Sequence, residues 1–178
     1  MKKNSFLIIA ALCFVPSILS RIRMISGLGV PFWDNLVNIL PTLLTMLIII
    51  GILIKSPNLI GVISIIQTVM AVTTMFTYSM SFFSSIRAYP GELVINCILL
   101  IVRLAIGVLV RLFLAIGCFL RNRKIGESLC LMSALAIFVR TVFSIVFFRP
   151  VTVAMIFINI CDISGTVLIG KYVIGQQN

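Results

Sequence analysis

Six long apolar runs, each closed by a short stretch rich in charge, proline or glycine, dominate this sequence. That alternation leaves few folds open. A helix crossing a bilayer needs about 20 predominantly apolar residues. Six such helices account for about 120 residues, and the chain has 178. Only short connections remain. The expected fold class is therefore all-α: a polytopic transmembrane bundle of about six helices in three antiparallel hairpins. Residues 1–178 should form one integral membrane domain, with helices over about 5–25, 31–54, 58–85, 90–120, 127–148 and 150–173.

Composition supports lipid as the solvent. Hydrophobic residues make up 61% of the chain and charged residues 10%, whereas a soluble domain carries roughly 25% charged residues. The formal charge of +10 is distributed singly or in small groups between apolar runs. That is the pattern of topology signals rather than of a nucleic-acid surface, so the expected surroundings are the lipid bilayer and no nucleic acid.

The first run, FLIIAALCFVPSIL, follows Lys2 and Lys3 and precedes Arg21 and Arg23. A basic start and an apolar stretch also describe a signal peptide, with Val15 and Ser17 at the positions cleavage would need. The run continues through Ile18 and Leu19 without an A-x-A site, so an uncleaved first helix is expected. Pro16 should bend it.

Lys and Arg in short loops set orientation. With the N-terminus inside, the inner side holds Lys2, Lys3, Lys55, Arg121, Arg123, Lys124 and Lys171. The outer side holds the smaller set Arg21, Arg23, Arg87 and Arg149. Both termini are thus expected in the cytoplasm, with a bacterial plasma membrane as the default location. Trp33 and Tyr89 would mark the outer interface and Tyr172 the inner one.

Pro31, Pro90 and Pro150 each open an even-numbered run, and each such run pairs an acid with an asparagine: Asp34 with Asn38, Glu92 with Asn96, and Asn159 with Asp162. Three copies of one hairpin would produce this pattern, and so would chance. Asp34, Glu92 and Glu127 fall at expected helix starts, where the dipole favours an acid.

The chemistry of such a chain lies in ionisable groups too far from a helix end to reach water. Arg103 and Asp162 both fall roughly 17 Å below the outer boundary at the helical rise, and Arg140 roughly 13 Å below it. A lone charge at that depth costs a few kcal/mol, about 2.5–3.5 on insertion scales. The expected arrangement turns all three inward, with Asp162 bridging Arg103, Arg140 or both. Arg111, two turns beyond Arg103, either borders the same polar site or extends to the inner headgroups. An excess of arginine over aspartate suits an anionic small molecule, a carboxylate or a lipid phosphate.

The third run carries the clearest periodic signal. Ser64, Gln67, Ala71, Thr74, Tyr78, Ser81 and Ser85 recur at alternating spacings of three and four. Small and polar side chains therefore share one helical stripe, either as a packing seam between helices or as the hydrophilic wall of a solute path.

Catalytic signatures are not found: no G-x-S-x-G, H-E-x-x-H or Walker-A loop occurs, and the chain has no histidine. Cys13, Cys97, Cys118, Cys130 and Cys161 lack a C-x-x-C pair and fit small core hydrophobes. No enzyme, cofactor or metal is expected. The leading expectation is a small-solute transporter, or a membrane-embedded permease component, with an Arg/Asp-lined polar site. The alternative is a non-catalytic accessory, assembly or immunity-type protein that binds another membrane subunit or forms a homo-oligomer.

Overall fold

The computed structural model describes residues 2–27, 36–85, 91–120, 122–148 and 152–175. Among these there are helices and no strand: α1 (Lys2–Cys13), α2 (Val15–Gly27), α3 (Leu36–Leu53), α4 (Pro57–Ser85), α5 (Gly91–Phe119), α6 (Arg123–Phe147) and α7 (Val153–Ile169), the last extended by a π-helical turn over Gly170–Ile174. The three regularly placed prolines, with Trp33, Asp34, Asn35, Arg87, Tyr89, Arg121 and Arg149, lie outside the described residues.

α1 and α2 are two parts of one broken rod. Pro16 has no N–H with which to continue the ladder, and Phe14 closes a tighter bond to Ala11 at 3.2 Å. Counted as one rod, they give six rods among the described residues. Five are long and apolar enough to cross a membrane: Asn4–Arg23, Pro57–Phe82, Val94–Phe119, Arg123–Phe147 and Val153–Ile174. The sixth, α3, has a shorter apolar stretch over Ile39–Leu53. The chain is a multi-pass integral membrane protein.

Helix ends follow local chemistry. α3 stops where Lys55 takes a left-handed conformation, φ 58°. Ser56 N–H then bonds Gly51 C=O at 2.9 Å and Lys55 N–H bonds Ile52 C=O at 3.1 Å, the paired capping of a Schellman turn. Pro57 opens α4 at the position where its missing N–H costs nothing. α6 begins at Arg123, four residues before the expected Glu127. Asn122 is the reason: its side chain accepts from Ile125 N–H at 3.5 Å and caps the helix early. Glu127 therefore stands in the second turn, not the first, with its carboxylate against Gly175.

The rods close into a ring. α1 packs on α3 and α7, α3 on α4, α4 on α5, α5 on α6 and α6 on α7; α2 also touches α3 and α7. Lipid-facing positions carry large apolar side chains, such as Val69, Phe76 and Val146, each exposed by 60% or more. In water such exposure would be prohibitive; in hydrocarbon it is neutral.

Packing is uneven along the ring axis. The apolar core gathers Leu7, Ala10, Phe14, Ile48, Ile52, Ile60, Ile63, Leu114, Cys118, Cys130, Ile169 and Ile174, mostly toward the end that holds the start of α1 and the end of α7. Helices there approach through glycine: a Cβ on Gly126 would lie 2.8 Å from the Gly117 carbonyl oxygen, and one on Gly170 would lie 2.8 Å from Cys130 Cβ. The opposite half is hollow.

Candidate functional site

The hollow half holds a half-open cavity of about 500 Å³ within the helical ring. Pro41 of α3 contributes to its wall, as do five residues of α4, five of α5, and pairs from α6 and α7. Its basic lining consists of Arg103 and Arg111 on α5 and Arg140 on α6. No aspartate or glutamate is among its described lining residues.

The antiparallel register of α5 and α6 sets the order of these cations. Ser133 Oγ donates to the Val110 carbonyl at 2.8 Å. One turn back along α5, Arg140 Nη1 comes within 3.8 Å of where a Gly107 Cβ would stand. Another turn back, the Arg103 guanidinium lies 5.2 Å from the Phe148 ring centroid, within cation–π range. Gly107 stands midway between Arg103 and Arg111. Arg140 therefore enters between them, over the Gly107 backbone, where no side chain intervenes.

Arg140 is held from α7. Its Nη2 donates to Asn159 Oδ1 at 3.3 Å. Asn159 in turn donates its Nδ2 to the Met155 carbonyl at 2.9 Å, which leaves its oxygen facing the guanidinium. Ser144 Oγ donates to the Arg140 carbonyl at 2.8 Å.

Asp162 occupies a different place. It is not among the cavity residues, and its Oδ1 is buried without a hydrogen-bond partner. Arg140 and Arg21 both act on it electrostatically, and Cys13 of α1 is among its neighbours in the same sense. The expected Asp162 bridge is thus replaced by Asn159 as the direct partner of Arg140. Three residues of helix rotate a side chain by about 300°. Asn159 and Asp162 consequently diverge by about 60°, one toward the cavity and the other toward the broken first rod. Sequence reasoning matched Asp162 to the arginines by depth, which carries no information about azimuth.

The polar stripe of α4 divides along its length. Gln67, Ala71, Thr74 and Tyr78 line the cavity, with Met70. Ser64 lies on the same stripe but in the packed half, fully buried, with its Oγ unpartnered. Ser81 is exposed, and the side chain of Ser85 lies outside the described residues. Thr74 Oγ1 donates to its own helix at Met70 C=O, 2.8 Å, so toward the cavity it offers only acceptor lone pairs and a methyl group. Pro41, Met70, Leu100, Leu104 and Met155 complete an apolar surround.

Asn159 and Ser144 are polar cavity residues that lie outside the set expected from the sequence, although Asn159 forms an acid–amide pair with Asp162 in the sequence. The available signal was an amide two turns into an apolar helix. Among the described residues no group of three or more metal-ligating side chains is found. Comparisons with protein-family models, curated proteins and solved structures returned no match.

Proposed function

We propose that this membrane protein binds an anionic small solute between α4, α5, α6 and α7, as a small transporter or as the membrane-embedded component of a permease, without catalysis. The carrying observation is the cavity of about 500 Å³ whose basic lining is Arg103, Arg111 and Arg140, with no acid among its described lining residues. Arginine in the hydrocarbon region costs about 2.5–3.5 kcal/mol even on insertion scales. Three in one hollow are better accounted for by a bound anion than by helix locking, because only Arg140 has a described side-chain hydrogen bond to another helix. The size is suitable for a small molecule.

The accessory-protein reading draws less support. The lipid-facing hydroxyls of α4 already have acceptors: Thr73 donates to Val69 C=O and Thr77 to Thr73 C=O, both at 3.0 Å. They do not require a partner helix.

Thermal unfolding of the purified protein in detergent tests the reading, with a panel of anions and cations at constant ionic strength. A ligand present at 100 times its Kd adds about 2.7 kcal/mol. Selective stabilisation by an anion, lost in Arg140→Gln, is expected. A response that follows ionic strength alone would remove the anion site.

A further inference from the structure

The three arginines are arranged in sequence along the cavity rather than clustered at one point. Arg103, the Gly107 position that the Arg140 guanidinium covers, and Arg111 are separated by four residues each. At the helical rise each step is about 6 Å and the whole series about 12 Å. The antiparallel contacts of Ser133 with Val110 and of Arg103 with Phe148 fix this order independently.

A monovalent anion satisfies such a series poorly. Placed beside one guanidinium, it leaves the other two facing each other in a low-dielectric interior. Placed in the middle, it leaves the outer two without an anionic partner. Two anionic groups carried by one molecule fit the steps: one group lies between Arg103 and Arg140, the other between Arg140 and Arg111. Guanidinium forks match the planar or tetrahedral oxygens of carboxylates and phosphates. The apolar side chains of Leu100, Leu104, Met70 and Met155 then accommodate the short connecting body between the anionic groups.

On the anion-binding reading above, we infer that the ligand of this cavity is a double-ended oxyanion, two carboxylate or phosphate groups joined by a short spacer, laid along α5 from Arg103 to Arg111. Gly107 is the specificity position, because a Cβ there would already lie 3.8 Å from Arg140 Nη1, so a larger side chain would displace the middle guanidinium.

Matched pairs of probes test this in nanodiscs of zwitterionic lipid: acetate against succinate, and phosphate against pyrophosphate, at equal ionic strength. A second arm compares discs doped with phosphatidylglycerol and with cardiolipin, which carries two phosphates on one lipid. At least one double-ended member should bind ten or more times tighter than its single-ended counterpart. In Arg111→Gln that ratio should fall below threefold. Gly107→Leu should remove the preference by a second route, in a helix whose polar groups are untouched. Preference confined to cardiolipin identifies a lipid ligand, and preference for succinate or pyrophosphate identifies a soluble one; either supports the inference. Equal binding within every pair overturns the inference and leaves the anion site standing. No binding by any probe overturns both.

Discussion

The Arg140 guanidinium bonds Asn159 Oδ1 at 3.3 Å, while Asp162, one turn farther along the same helix, keeps a buried oxygen without a hydrogen bond. The amide orients the cation without neutralising it. A carboxylate in its place would form an internal ion pair and occupy the charge that a ligand needs.

That distinction is testable by exchanging the two chemistries. Asn159→Asp should keep the fold and weaken anion binding at least tenfold, about 1.4 kcal/mol. Asn159→Leu should instead lower stability, because a hydrogen bond to a charged group contributes about 1.5–3 kcal/mol. Anion titration and thermal unfolding of both variants separate the effects. Undiminished binding by Asn159→Asp would contradict the role given to the amide.

Glycines in the two halves should respond differently to the same change. A Cβ on Gly126 meets the Gly117 carbonyl oxygen at 2.8 Å and Ile174 Cγ2 at 2.9 Å, whereas one on Gly107 meets only Arg140 Nη1, at 3.8 Å. Gly126→Ala should cost about 1–3 kcal/mol by overpacking, and Gly107→Ala should leave the unfolding midpoint near that of the parent. Similar midpoints for the two variants would mean that the packed half is looser than described.

Ser133 ties α6 to α5 through the Val110 carbonyl. Interhelical hydrogen bonds of this kind average about 0.6 kcal/mol in membrane proteins. Ser133→Ala should therefore produce a small loss of that order in a reversible unfolding assay, with anion affinity unchanged. A large drop in affinity would show that this contact sets the spacing of the arginines.

Topology is open to labelling. Single cysteines at Ser56 and Asn122 should react with an impermeant maleimide from the cytoplasmic side, and cysteines at Gly29 and Ala88 from the outside. The reverse pattern would invert the bundle, and mixed labelling would change the number of crossings.

Much of the architecture was legible because hydrophobicity determines it. Apolar runs locate membrane helices whatever their neighbours, and the expected ends at residues 58, 85 and 120 lie within a residue of those observed for α4 and α5. The start of α6 was misplaced because Asn122 caps it ahead of two cations that the dipole disfavours. On α4, spacings of three and four identified the face shared by Gln67, Ala71, Thr74 and Tyr78, since helical rotation follows from sequence. Whether that face meets a void or a neighbour does not, and Ser64 on the same stripe lies in solid packing. Asp162 shows the same limit: its height followed from counting residues, but its bearing depended on the tilt and rotation of α7.

The uneven filling of the ring also bears on local unfolding. Opening free energies track how densely a segment is packed, so α5 should not behave as a uniform rod. Amides around Leu114 and Cys118, inside the glycine-spaced core, should exchange with deuterium slowly, at rates approaching those of global unfolding. Amides around Leu100 to Gly107, beside the hollow, should exchange through smaller fluctuations. One continuous helix would then record two clocks, with the change of pace falling near Arg111.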